Sequence, residues 1–275
     1  MLKIFDKNNR QKGSLPAIKK VAFALTLVAS AAFFAAGCSK DDAKKTSDNK
    51  DVATSMDGSK ENNVAAVAND ETVFVIDDTN ITAAEARWYV YMLADSIKED
   101  VKAYENETGK SYYEAIANDE GQTVEEALRT QVVDMVYYYE IMYKHALTAK
   151  DYKIEDNSFF EEEAEKKMEE VGQEAIEEYS LTKEAYATIL RKWTLADMYY
   201  DEVAGLYDVD KDELMKNTYS QDEIKELSDD EYGTIANELD RNYRRQLFNE
   251  DFEELQKDHQ IQVINDKWKS IQIHD

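Results

Sequence analysis

Proline and cysteine each occur once in the 275-residue chain, as Pro16 and Cys38. A lone cysteine has no partner for an intramolecular disulfide. From residue 38 onward there are six glycines (Gly58, Gly109, Gly121, Gly172, Gly205, Gly233) and no proline. A chain of turns and tight hairpins needs more of both. Histidine is scarce too: His145, His259 and His274 stand in no HExxH or Cys/His ligand spacing. GxSxG, Walker and dinucleotide glycine patterns are absent. Positive charge is short, with 33 Lys+Arg against 59 Asp+Glu and a net charge of −26 at pH 7. Phosphate backbones are repelled by such a body, so no nucleic-acid partner is expected. What the chain does have is 18 Tyr and three Trp, too many aromatics for disorder throughout. The expected class is mostly α.

The first 37 residues are unlike the rest. Six bases (Lys3, Lys7, Arg10, Lys12, Lys19, Lys20) face one acid, Asp6, and the uncharged run Val21–Gly37 follows. As a helix that run spans roughly 25 Å, short of the bilayer's hydrocarbon core. A basic flank, an apolar run and small residues at a cut site make a secretory leader. Ala36, Gly37 and Cys38 resemble the lipobox of bacterial lipoproteins, with Ala35 standing where that pattern usually has Leu. The resemblance implies cleavage after Gly37 and lipid on the Cys38 thiol, the strongest nucleophile present. Two acyl chains then hold durably where one is marginal. The plainer alternatives are an uncleaved anchor with an incidental cysteine, or a leader cut elsewhere. Residues 38–70 lack aromatics and any lasting apolar period, which predicts a flexible tether of roughly 30 Å reach.

Order is expected from about Thr72, and the body is taken as residues 71–275. Val73–Ile76 reads as a short strand and Asp77–Asn80 as a turn. Thr82 and Glu85 have capping-box spacing, predicting a helix to about Tyr104. Thr123 and Glu126 start a second helix, whose seam is Leu128, Val132, Met135, Tyr139, Met142 and Ala146. A third is expected over Ser158–Tyr179 and a fourth from Thr182, carrying Trp193 and Tyr200. A short one covers Lys211–Thr218 and a last long one Asp229–Asp258. Ile261 and Val263 read as a second strand that pairs with Val73–Ile76 and joins the two ends of the body. The expected fold is therefore about five long or medium helices with a short strand pair.

Chemistry is thin. Asp208, Asp210 and Asp212 mimic a calcium loop, but Glu213 stands where Gly is needed and Tyr219 where a bidentate Glu is needed. Helix capping by Asp210 explains them better. Nine Glu between Glu161 and Glu178 read as a solvated face, or else a docking face for basic clients. No catalytic residue, metal ligand or cofactor is expected. Trp88, Tyr91, Met92, Met135, Tyr139, Met142, Trp193 and Tyr200 either fill the interhelical core or line a client-binding groove, where adaptable Met and Tyr suit varied partners.

The stretch VFVIDDTNITAAEARWYVYML, with Ile81, Thr82 and Glu85 in an I-T-x-x-E pattern, resembles the opening of the SurA/PrsA-type foldases. RNYRRQLFNEDFEELQKDHQIQVINDKWKSIQI resembles their closing module. In that family the N- and C-terminal parts pack into one helical chaperone domain, similar to one in trigger factor. Full-length members insert a parvulin isomerase domain before the closing helix. Here only about Tyr207–Ser228 occupies that place. The resemblance thus implies a chaperone for unfolded or nascent secreted polypeptides, anchored on the extracytoplasmic side of a membrane in the cell envelope, without isomerase activity. A surface lipoprotein that scaffolds one partner is the alternative, and a divergent prolyl isomerase a further one. Replacing Cys38 by Ala should leave the leader uncut and remove the lipid mass. Mass spectrometry of the N-terminal peptide checks both.

Overall fold

Thr82, Thr123 and Thr182 stop extended chain and start three of the long helices. In each case the hydroxyl oxygen accepts a hydrogen bond from the N–H three residues on, at 3.2–3.3 Å. The computed structural model describes residues 67–149, 152 and 157–273. The predicted leader, Gly37, Cys38, most of the tether and His274 lie outside the described residues.

The order is β1 (Thr72–Ile76), β2 (Thr79–Thr82), α1 (Ala83–Thr108), α2 (Val124–Ala149), α3 (Ser158–Val171), α4 (Gln173–Tyr179), α5 (Lys183–Gly205), α6 (Lys211–Thr218), α7 (Gln221–Glu226), α8 (Asp229–Gln256), β3 (Ile261–Val263) and α9 (Asn265–Lys269). The fold is mostly α, as expected. Helix α5 packs against α1, α2, α3 and α8, and so occupies the middle of the bundle. Among the described residues no helix is long and apolar enough to cross a membrane.

The expected strand pair exists, inside a three-stranded antiparallel sheet of order β2-β1-β3. Phe74 pairs with Val263 and Ile76 with Ile261, so the two ends of the body meet. The second strand, β2, corrects the reading of Thr79 and Asn80 as turn. Only Asp77 and Asp78 turn, with Asp77 at φ 55°, a left-handed conformation that Asp tolerates better than most residues. Val73, Phe74 and Ile76 are fully buried under α9 and α1.

Order also starts earlier than Thr72. Val67 is buried, and the Arg87 guanidinium donates to its carbonyl at 2.6 Å and to the Asn69 side chain. Residues 67–70 therefore belong to the body, not the tether. The third expected helix is two. Gly172, at φ 84°, ends α3 and starts α4, because a left-handed backbone cannot continue a helix. Ser220 and Ser228 each form reciprocal capping boxes, at α7 and α8. The short α7 was not anticipated.

Two apolar clusters result. The larger joins the sheet, α1, the first half of α2 and the C-terminal Trp268, Ile271 and Ile273. The smaller joins Ile141, Met142, Leu195, Ala196 and Tyr199 to Phe248 and Phe252 of α8. Trp268 meets Phe74 edge-on at 5.0 Å between centroids, and the Arg129 guanidinium lies 5.4 Å over its ring. Trp268→Ala should cost about 3–5 kcal/mol of stability by opening this end of the core. Urea unfolding monitored by circular dichroism measures it.

Candidate functional site

Between α1, α2 and α5 the bundle buries three charges. Lys192 of α5 lies 2.6 Å from Glu85 of α1 and 2.9 Å from Glu140 of α2. The three side chains are only 11%, 10% and 2% exposed. The contact to Glu85 is a hydrogen bond, while that to Glu140 is an ion pair off the hydrogen-bonding direction. Burial pulls the Lys192 ammonium down, but the charges of Glu85 and Glu140 outweigh it and hold it above the ordinary lysine value. Two carboxylates against one ammonium leave an excess negative charge inside the bundle. Nearby, burial raises the Tyr89 hydroxyl well above its ordinary value, with Tyr139 and Glu85 adding to the rise.

Sequence reasoning read Glu85 as the return arm of a capping box. Only half the box forms. The Glu85 N–H donates to Thr82, but the carboxylate turns inward to Lys192. Nothing local distinguishes a glutamate that caps from one that meets a lysine 107 residues away.

Around the charges the aromatic side chains form a continuous spine. Tyr91 touches Trp88 at 5.8 Å, Trp88 touches Tyr186 at 4.7 Å, and Trp193 meets Tyr186 at 6.3 Å. Trp193 also meets Tyr89 and Tyr139, at 5.9 and 5.6 Å. From Tyr139 the path runs through Tyr138 to Phe252, Phe248 and Tyr200. Both indole N–H groups of the spine are matched. Trp88 donates to the Thr182 carbonyl at 2.8 Å, and Trp193 to the Tyr89 hydroxyl at 3.2 Å.

This corrects part of the expected groove. Trp88 and Met142 are both 0% exposed and present nothing to a client. Tyr91, Met92, Met135, Tyr139, Trp193 and Tyr200 are half-buried and pack against the two apolar clusters. The stripe that gives each helix its period is the face it buries against its neighbours. Among the described residues the large apolar side chains that are exposed are others: Ile116, Phe159, Met198, Leu206 and Tyr243, with Leu206 at 75%.

Asp197 of α5 is a further group missed from sequence. It stands half-buried among aromatics, and burial, with Asp201 adding, raises its carboxyl to about 6. A second polar group gathers at the sheet, where Asp77, Lys144, His145 and His259 come together from the β1–β2 turn, α2 and the residues before β3. A shallow cavity of about 290 Å³ beside it is lined by Val75, Asp77, Asp258, Gln260, Ile261 and Gln262. Among the described residues no three His, Cys, Asp or Glu side chains gather as metal ligands. Asp210 caps α6 by accepting from the N–H groups of Asp212 and Glu213.

Compared with known proteins, the chain matches no family model, no curated protein and no solved structure.

Lys192→Met should destabilise the protein by about 3–5 kcal/mol at neutral pH, since both carboxylates stay buried without a counter-charge. Urea midpoints for the variant and the wild type test this.

Proposed function

We propose that the chain works as a lipid-tethered holdase or foldase chaperone on the extracytoplasmic side of a membrane, without prolyl-isomerase activity. Its clients are unfolded or nascent secreted polypeptides. The observation that carries the reading is the closure of the two ends: β1 and β3 lie in one sheet, and α8 leads back to it. That is the arrangement which the resemblance to the SurA/PrsA-type foldases implies. Only α6 and α7 stand between α5 and α8, where full-length foldases carry the isomerase domain.

With Trp88 and Met142 enclosed, client contact falls to the rim. Leu206, just past α5, and Tyr243 of α8 are exposed. Helix α8 is fastened to the end of α5 that carries Leu206, because Arg244 donates to the carbonyls of Ala204 and Tyr207, at 2.6 and 2.8 Å. Scattered apolar rim contacts give weak and undemanding binding, which suits many different clients. A strongly negative body keeps the chaperone itself dispersed.

One observation favours the scaffold reading instead. The aromatic spine fills the interior rather than lining an open cradle, and a closed bundle suits a single dedicated partner.

Aggregation of a chemically denatured client, followed by light scattering with and without the full chain, separates these readings. Slower aggregation is expected. A Leu206→Ser, Tyr243→Ser double variant should lose much of the protection while its circular dichroism stays unchanged. Absence of both client binding and protection sinks the chaperone reading, and saturable capture by one partner supports the scaffold. A proline-peptide isomerisation assay should give background rates.

A further inference from the structure

We propose that Asp77, His259 and His145 form a proton-gated clasp that releases the C-terminal strand β3 from β1 in mild acid. The three side chains are linked end to end. Asp77 Oδ2 is 2.8 Å from His259 Nδ1, and His259 Nε2 is 3.2 Å from His145 Nε2. The two rings stand nearly perpendicular, at 84°, with centroids 5.4 Å apart. The linkage joins the β1–β2 turn, the residue pair just before β3, and α2.

The surroundings brace it. Asp77 Oδ1 accepts the Gln260 N–H at 2.9 Å, and the Asp77 N–H donates to the Gln260 carbonyl at 2.9 Å. Lys144 reaches the Ile76 carbonyl at 2.9 Å, Asp77 at 3.1 Å and Asp78 at 3.2 Å. From α2 the Tyr137 hydroxyl meets the carbonyls of Gln256 and His259, and from α5 the Tyr199 ring stacks on His145 at 6.0 Å. The Asp258 charge also acts on His145.

A bond between two Nε2 atoms needs one proton, no more. With both rings neutral, His259 gives its Nδ1–H to Asp77 and accepts the Nε2–H of His145. One added proton is tolerated, because one ring's Nε2 can still donate while the other's stays bare. A second proton sets two N–H groups head to head and two like charges ring to ring, with no acceptor between them. Burial, and then the neighbouring His259, hold His145 below the ordinary histidine value, with Asp258 opposing in part. A depressed histidine means that the unfolded chain binds the proton more readily. Its contribution is therefore full above about pH 6.5 and drains away as the pH falls toward the folded-state value. Asp77 does not set this window. Burial pushes its carboxyl up, but the Gln260 N–H, His259 and Lys144 outweigh that and hold it at about 2.

What the clasp secures is small. Strand β3 is three residues long, and its Ile261 end sits next to His259. Losing the clasp frees one hydrogen-bonding edge of β1.

Hydrogen exchange read by mass spectrometry on the full chain, with EDTA present so that the proton is the only titrant, tests the clasp. After correction for intrinsic rates, exchange at 73–76 and 261–263 should rise several-fold between about pH 7.5 and about pH 5. Amides inside α1 and α5 should not follow. His145→Gln still donates to His259 but takes no proton, so it should flatten the response. If that variant fails to fold, an NMR titration of the wild-type imidazoles decides. A pH-independent exchange pattern, a full response in His145→Gln, or a His145 that titrates at or above the ordinary value overturns the proposal.

Discussion

Lys192 holds three long helices to one register. It sits near the middle of α5 and reaches Glu85 on α1 and Glu140 on α2, so a one-residue slip of any helix would turn a charge toward apolar neighbours. Hydrophobic stripes alone specify such registers loosely, because one Met, Tyr or Leu packs nearly as well as another. A buried ion group is poor evidence for stability, since desolvation offsets most of its Coulomb attraction. Its effect here is one of geometry. The Tyr89, Tyr139 and Trp193 rings lie beside it and meet at single, defined distances.

The same economy of positive charge recurs where irregular chain must be fastened. Arg87 takes the carbonyl of Val67 and the side chain of Asn69, at the start of the described body. Arg129 takes the carbonyls of Trp268 and Ile271 at 3.1 Å, near its end. Arg244 takes those of Ala204 and Tyr207 where α5 stops. Guanidinium groups suit this use: each is a fixed fork of donors, and carbonyls at helix ends are left without intrahelical partners. In a chain of net charge −26, these three arginines act on the backbone as much as on surplus carboxylates.

Local signals were legible and long-range ones were not. The starts of α1, α2, α5, α6 and α8 could be read, because each cap is a contact between residues two or three apart. Gly172 was visible too, but nothing in its neighbours tells a glycine inside a helix from one at φ 84° between two. Strand β2 escaped notice because Thr79-Asn80 looks like turn until β1 is there to pair with it. Trp88 and Met142 fell on the correct stripes. Periodicity names the buried face, however, and it cannot say that the face is closed. Glu85, Glu140 and Lys192 come from three helices and carry no shared motif. His145 and His259 are 114 residues apart and looked unrelated.

The pairing of Phe74 with Val263 has a consequence for how the molecule comes into being. These partners lie near the two ends of the described chain, so closing them carries a large loop entropy, and it comes late. The helices between can form from local contacts first. Until β3 arrives, β1 and β2 are a lone hairpin, which is marginal in water, with one edge of β1 unpaired. A chain made from its N-terminus therefore cannot finish the sheet until residues 261–263 have been made, and a truncation before Ile261 would leave that edge open for good.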